Sequence, residues 1–534
     1  MSHTLGRTGR QAALNTVVAG GLAAGLLWFG PPGTDLAAHV FQLNIFAHHG
    51  FTLWTNYWYA GRYTFVGYSL LYYPLAALLG IKVVALLSVA TASTAFTVLA
   101  RRTWGESTLW STRLFAVVAA GSVLTAAFPY GLGLALALWA LTALGRRRFA
   151  LFGVLMMLSF AASPLAFLFL MVILAALAAT QSRVAIVKPA ALTAATLTVG
   201  LLLWRLFPDH GRFPFGTSEL LAALVFCAFG AVYTWHVERA RILRAIFTIY
   251  GALCMVAYLV PTGLGENVAR LRYVALPIIA LTLSLRRWRP LPVSVVAFVL
   301  ALSWNVMPIA YSLLRSTQDA SSSKAYWQPA LRYLHGELSP SYRVEVVGTT
   351  GHWEAAYFAG ARIPIVRGWF RQDDFPQNEI LYDPFGSPSY VRWLHGLGVR
   401  YVVLSDATPD YSSRVEAELL ASGRSGLQVV QQLPHLTIFS VPDARSIVTG
   451  PGHPRVDALG DSTLTLTLDR PGTYRIAMSY TPYLAAPGTC ITETSGGLIE
   501  LHARKAGNVR LAFAVTPSRA FAALAGTTTS CPER

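Results

Sequence analysis

The sequence predicts a polytopic α-helical membrane protein of about eleven transmembrane helices, followed by an extracytoplasmic α/β domain and a terminal β-sandwich. Three observations lead there. Hydrophobic residues make up 54 % of the 534 and charged residues 13 %, with a mean hydropathy of +0.48, whereas a soluble globular chain carries roughly 25 % charge. Long apolar runs fill residues 13–314 and then stop, so a membrane part gives way to a polar part. Beyond residue 442 hydrophobicity alternates with period two between Gly, Pro and Asp-Arg turns, the pattern of half-buried antiparallel strands. The expected domains are 1–315, 316–445 and 446–534.

Residues 15–30 are apolar behind Arg7 and Arg10, and no small-residue cleavage site precedes Pro31-Pro32. This predicts an uncleaved first helix running from inside to outside. The stretch 33–73 is not a span, because it interleaves Asp35, His39, His48, His49 and Arg62 with Trp54, Tyr57, Trp58, Tyr59 and Tyr63. Residues 66–79 are short and broken at Pro74, which suits an interfacial or re-entrant piece. Apolar runs follow at 81–100, 114–128, 132–144, 149–180 (divided at Ser163-Pro164, where proline cannot continue the ladder), 190–206, 220–235, 246–260, 274–285 and 292–314. Arginine clusters at 101, 146, 183, 239 and 286 then all fall on one side, and the odd number of spans puts the tail on the other. The formal charge of +17, carried mostly by arginine, therefore reads as topology, without nucleic acid as a partner.

In the tail, 327–334 is an amphipathic helix, 343–347 and 363–366 are strand-like, 389–397 is helical, 399–404 is a buried strand, 412–421 is a helix, and 427–432 with 436–441 form a hairpin. Period-two strands follow at 463–468, 474–480, 497–503 and 509–515. Cys227 and Cys254 lie in apolar runs, and Cys490 and Cys531 in the tail, where an external location leaves them open to pairing.

Candidate chemistry gathers in three places. Asp35 lies a few residues past the first helix, on the expected outer side. Inverting sugar transfer needs a base that takes the acceptor hydroxyl proton as the sugar–phosphate bond breaks, and a carboxylate is the usual choice. The competing reading, which position alone favours, is a helix cap by Thr34 or Asp35. His39 shares a helical face with Asp35 at i, i+4, and His48-His49 follow, so a divalent metal is conceivable, although no acidic or histidine pair completes a ligand set. Trp58 and Arg62, in the aromatic run, would bury a sugar face or a prenyl chain. In the second place, GENVARLRY at 265–273, Arg270 and Arg272 stand on the expected outer side against the positive-inside tendency. Guanidinium groups there would hold a lipid phosphate, with Glu266 as the competing partner. The third place is HWE at 352–354 with RGWFRQDD at 367–374. Trp353, Glu354, Trp369, Arg371 and Asp374 are residue types that stack on sugar rings and take hydroxyls, and equally types that dock one surface on another. No Gly-rich nucleotide loop and no Ser-His-Asp spacing is evident.

At Gly33-Thr34-Asp35 with the first-loop aromatics, the chain resembles the GT-C superfamily of membrane glycosyltransferases, which use polyprenyl-phosphate sugars. The whole layout, with the RGWFRQDD motif, is similar to bacterial membrane proteins labelled as related to 6-pyruvoyl-tetrahydropterin synthase, a label not taken as a statement of chemistry. The resemblance implies an external-loop acid as catalytic base, at Asp35, and a basic group near a late external loop for the lipid phosphate, at Arg270 or Arg272. An Asp-X-Asp or Glu-Asp pair is missing from the first loop, which leaves metal dependence open. The partners implied are a polyprenyl-phosphate sugar donor, a glycan or glycolipid acceptor and membrane lipids, with no cofactor other than a divalent metal. Two other classes compete: a lipid or glycan transporter or flippase, which would call for mid-membrane polar groups and repeat symmetry, and a non-catalytic glycan-binding assembly protein in which Asp35 is only a cap.

Overall fold

The computed structural model describes residues 2–181, 183–208 and 211–526. They fall into two compact units: Met1–Leu36, Tyr68–Leu201 and Arg212–Gln318 form the first, and Ala37–Gly67, Leu202–Gly211 and Asp319–Arg534 the second. In chain order the helices up to residue 318 are α1 (Ser2–Phe29), α2 (Leu36–His49), α3 (Tyr72–Leu79), α4 (Ile81–Trp104), α5 (Leu109–Gly121), α6 (Phe128–Gly145), α7 (Phe149–Ala162), α8 (Pro164–Thr180), α9 (Arg183–Leu206), α10 (Thr217–Tyr233), α11 (Arg241–Leu259), α12 (Ala275–Leu285) and α13 (Leu291–Gln318).

Helices stand at each place where the sequence predicts a span, but they differ in reach. Among the described residues six stretches are long and apolar enough to cross a membrane: Gly6–Phe29, Ile81–Thr125, Phe128–Gly145, Ile186–Leu206, Glu238–Leu259 and Leu291–Gln318. The count becomes seven if Gly265–Arg272 and α12 are one bent span. α7, α8 and α10 have 14, 17 and 17 residues. At about 1.5 Å per residue the shortest covers about 21 Å of a hydrocarbon core about 30 Å thick. The break at Ser163-Pro164 is as sharp as its chemistry requires: Ser163 is extended and its hydroxyl caps α8 by accepting from Ala166 N, while Pro164 occupies the first turn, where its missing N–H costs nothing.

Apolar helices gain little from burying more apolar surface against one another, so polar contacts and small residues tie them. Asn15 of α1 donates from Nδ2 to Thr97 Oγ1 of α4 at 3.0 Å, and Ser93 Oγ donates to Asn15 O at 3.2 Å. One apolar core of this unit gathers Phe169, Phe226, Phe247, Tyr250, Leu276 and Ile279.

The second unit contains a hairpin from the first loop, β1 (Trp54–Thr55) with β2 (Arg62–Tyr63), and then an α/β part: α14 (Lys324–Glu337), β3 (Arg343–Val346), α15 (Trp353–Gly360), α16 (Ser387–Leu397), β4 (Val399–Ser405), α17 (Arg414–Ala421), β5 (Gln428–Leu433) and β6 (Leu436–Ser440). The sheet order is β3-β4-β6-β5, with β3 parallel to β4 and the other pairs antiparallel. The stretch 363–366 adds only a bridge from Ile365 to Val344. Pro364 has no N–H to lend to a ladder, and Ile365 N donates instead to Tyr57 O.

Eight strands and a helix complete the unit: β7 (Val448–Thr449), β8 (Arg455–Leu459), β9 (Thr463–Leu468), β10 (Gly472–Ser479), β11 (Leu484–Ala485), β12 (Thr489–Glu493), β13 (Leu498–Ala503), β14 (Gly507–Phe513) and α18 (Pro517–Ala525). They make two four-stranded antiparallel sheets, β12-β13-β10-β7 and β11-β14-β9-β8. Leu464, Leu466, Ile476, Ile499, Leu501 and Leu511, from both sheets, share one core. Cys490 lies on β12, and Cys531 lies outside the described residues.

The first-loop aromatics belong to this unit's interior. Trp54 is in the core of the two terminal sheets, stacked on Phe513 with ring centroids 5.5 Å apart. Its Nε1 donates to Asn56 Oδ1 at 2.7 Å, and Asn56 Nδ2 donates onward to Gly460 O at 2.8 Å. Trp58 is fully buried and donates from Nε1 to Ala355 O at 2.9 Å. The chain at Gly368 lies directly on the rings of Trp58 and Tyr59, so that a Cβ there would come within 2.6 Å of each.

Gly368→Ala should therefore lower the thermal stability of the purified protein, by about 1–3 kcal/mol as for other overpacked cores. An unchanged melting temperature would contradict the close approach.

Candidate functional site

Asp35 is placed by a short turn between α1 and α2. After Pro31-Pro32 the chain passes alongside the 3-10 turn Ser122–Thr125, with Thr34 N donating to Leu124 O at 3.3 Å and Asp35 N to Thr125 O at 3.1 Å. Only glycine fits at position 33, since a Cβ would stand 2.6 Å from Ala126 Cβ and 2.9 Å from Ala126 N. Thr34 Oγ1 also donates to Thr125 O at 3.1 Å. Asp35 immediately precedes Leu36, the first residue of α2, a sequence position at which a carboxylate is a favourable helix cap.

Facing it is the 3-10 segment Gly265–Val274. Arg270 Nη2 lies 3.8 Å from Asp35 Oδ2, and the two side chains retain 22 % and 13 % exposure. Arg272 has a different setting. Its Nη1 bonds Glu219 Oε2 at 2.8 Å and its Nη2 is 3.7 Å from Glu266 Oε1. Of the two arginines it is thus Arg270 that stands beside Asp35. Glu219 was not among the residues singled out from the sequence; an acid in the first turn of α10 reads simply as a favourable helix end.

Tyr68 feels the charge of both Asp35 and Arg270. Burial pushes its hydroxyl above the usual phenol range, Asp35 pushes it further and Arg270 pulls it back. The net direction keeps Tyr68 protonated near neutral pH, as a donor. Asp35, Tyr68 and Arg270 all belong to the first unit. They join a proton acceptor, a neutral donor and a fixed cation.

The other residues read as candidates from the sequence lie elsewhere. His39 is fully buried on α2. His48 is held through Nδ1 to Asn44 O at 2.9 Å, and His49 Nε2 is 3.7 Å from Asp461 Oδ2. Among the described residues no three His, Cys, Asp or Glu side chains are grouped so as to hold a metal ion. Arg62 is an interior ion pair of the second unit, with Nε 2.8 Å from Asp373 Oδ2 and its guanidinium 4.3 Å from the centre of the Phe370 ring. Trp353 is buried and stacks on Tyr357. Glu354 accepts from Thr349 N and Oγ1 at 3.0 and 2.6 Å. Asp374 takes a bidentate pair from Arg367, at 3.1 and 2.8 Å, with further bonds from Asn378 and Tyr382. Trp369 packs edge-on against Phe370. Arg371 bonds Asp410, lies 3.1 Å from His352 Nε2 and covers the Tyr411 ring. HWE and RGWFRQDD thus form a connected ionic interior, in which Glu354 and Asp374 are occupied by their own neighbours.

Compared with known proteins, the chain matches no protein-family model and no curated protein.

Beside that network lies Glu345 of β3, fully buried, whose two carboxyl oxygens have no hydrogen-bond partner among the described residues. Burial raises its pKa, and the nearby Glu416 raises it further, while Arg367 opposes. The folded state therefore keeps its proton to higher pH than the unfolded state, which titrates near about pH 4.3. The stability it contributes is complete below about pH 4.3 and is lost as the pH rises toward the raised value. Glu345→Gln, neutral at every pH, should melt above the wild type at about pH 8, with the difference closing toward about pH 4.3. Equal or lower melting at the higher pH would contradict a buried neutral carboxyl.

Proposed function

We propose that the chain is a membrane glycosyltransferase of the GT-C kind. It transfers a sugar from a polyprenyl-phosphate donor to an extracytoplasmic glycan or glycolipid acceptor with inversion. The observation that carries the reading is the 3.8 Å juxtaposition of Asp35 and Arg270, each still partly exposed, with the Tyr68 hydroxyl within reach of the charge of both. Asp35 takes the proton of the acceptor hydroxyl as its oxygen bonds to the anomeric carbon. The bond from that carbon to the phosphate oxygen breaks on the opposite face, and the electron pair leaves with the lipid phosphate. Arg270 neutralises that phosphate and Tyr68 donates to it, so charge is balanced at both ends of the displacement.

In this reading all eleven apolar runs cross or enter the membrane and the second unit lies outside the cytoplasm. Support comes from the basic groups at the end of α4, after α6, before α11 and between α12 and α13, which the positive-inside tendency places on one side. A second reading, in which Asp35 only caps α2 and braces Arg270, is favoured by its place directly before Leu36.

Activity separates the two. In purified protein supplied with polyprenyl-phosphate sugars, Asp35→Asn should lower kcat by about 10²–10⁴-fold and leave the donor KM nearly unchanged, because the amide keeps the shape but cannot take the proton. Arg270→Gln should chiefly weaken donor use. Undiminished transfer by Asp35→Asn would leave the cap as its role.

A further inference from the structure

A second basic feature lies in the other unit, in a cleft between α16 and the start of the terminal sheets. It has a volume of about 410 Å³ and is lined by Arg392 and His395 of α16, Arg445, Thr449 of β7 and Arg475 of β10. That volume falls within the range of small-molecule sites, about 300–1,000 Å³. Among the described residues no carboxylate lines it. None of Arg392, Arg445 and Arg475 makes an ion pair within the described residues, and Glu500, opposite Arg475 in the β10–β13 ladder, stands 3.3 Å from His502 Nε2 instead.

Part of this charge has a structural partner. Arg475 Nη2 donates to Gly396 O at 2.7 Å, and the fully buried Arg343 donates from Nη1 to Leu397 O at 2.9 Å. Both bonds end on carbonyls at the C-terminus of α16, which carries only about half a negative charge. Among the described residues Arg343 Nε and Nη2 have no hydrogen-bond partner, and the exposed Arg392 and Arg445 make no ion pair. Burial and then the charge of Arg445 lower the pKa of Arg475; burial and then the charge of Arg475 bring Arg343 down to about 9. Gathering these cations costs electrostatic free energy that an anion in the cleft would offset.

We propose that this cleft binds a phosphorylated small ligand, a sugar phosphate or a phospholipid headgroup, with Arg392, Arg445 and Arg475 on the phosphate and Thr449 available to an adjoining hydroxyl. Guanidinium forks match phosphate oxygens in pairs, and the cleft has room for a group attached to the phosphate. The proposal rests on no part of the transfer reading.

Calorimetric titration of the full-length protein in detergent tests it, with glucose 1-phosphate and a short-chain phosphatidylglycerol as probes and glucose as the uncharged control. One of the phosphate probes should bind, more weakly as salt is raised, and which one binds identifies the source. The Arg392→Gln/Arg445→Gln double variant should weaken that binding by about tenfold or more, with melting unchanged because both side chains are exposed. Arg270→Gln should leave it intact. Failure of both phosphate probes to bind, or binding that survives the double variant, would overturn the proposal.

Discussion

Two backbone hydrogen bonds, Thr34 N to Leu124 O and Asp35 N to Thr125 O, set the position on which the candidate site depends. They lay the Gly33–Asp35 turn on the 3-10 turn at the end of α5, at a distance that excludes any side chain on residue 33. These bonds fix the backbone of Asp35, and its side-chain rotamer then sets where the carboxylate points. Arg270 is carried by a different segment, the 3-10 stretch Gly265–Val274, and its Nη2 comes to 3.8 Å from Asp35 Oδ2.

The chain between Asp35 and Tyr68 obeys a different constraint. A run this rich in tryptophan and tyrosine has to bury its rings while pairing their polar ends. It does so inside the second unit, through Trp54 to Asn56 and Trp58 to Ala355 O. The chain leaves the first unit after Leu36 and rejoins it at Tyr68. Asp35 and Tyr68 therefore bracket the excursion, and both belong to the first unit. What looks in sequence like a single aromatic active-site loop divides into two parts: its ends supply the candidate chemistry, and its middle supplies core.

This division marks where sequence reasoning stops. The helices of the first unit and the strands after residue 442 were legible because each depends on local periodicity and on breakers such as Ser163-Pro164. Asp35 and Arg270 were legible as charges out of keeping with their surroundings. The roles of Arg62, Glu354 and Asp374 were not, because a sugar-binding surface and a buried ion-pair network draw on the same Trp, Arg and Asp side chains. Only long-range pairing tells them apart, and the partner of Trp58 is 297 residues away. Residues 363–366 show the same limit on a smaller scale: a stretch with strand composition pairs only through the bridge of Ile365 to Val344, and Ile365 N finds its partner at Tyr57 O, far away in the sequence. Arg392, Arg445 and Arg475 come from separate elements, so no spacing in the sequence announces their cleft.

The most direct measurement of the central claim is a cryo-electron microscopy map of the protein with a bound polyprenyl phosphate. The account predicts phosphate density within hydrogen-bond reach of Arg270 and Tyr68, with the ester oxygen directed toward a space bordered by Asp35. Phosphate bound away from Arg270, with the Asp35–Arg270 pair undisturbed, would contradict it.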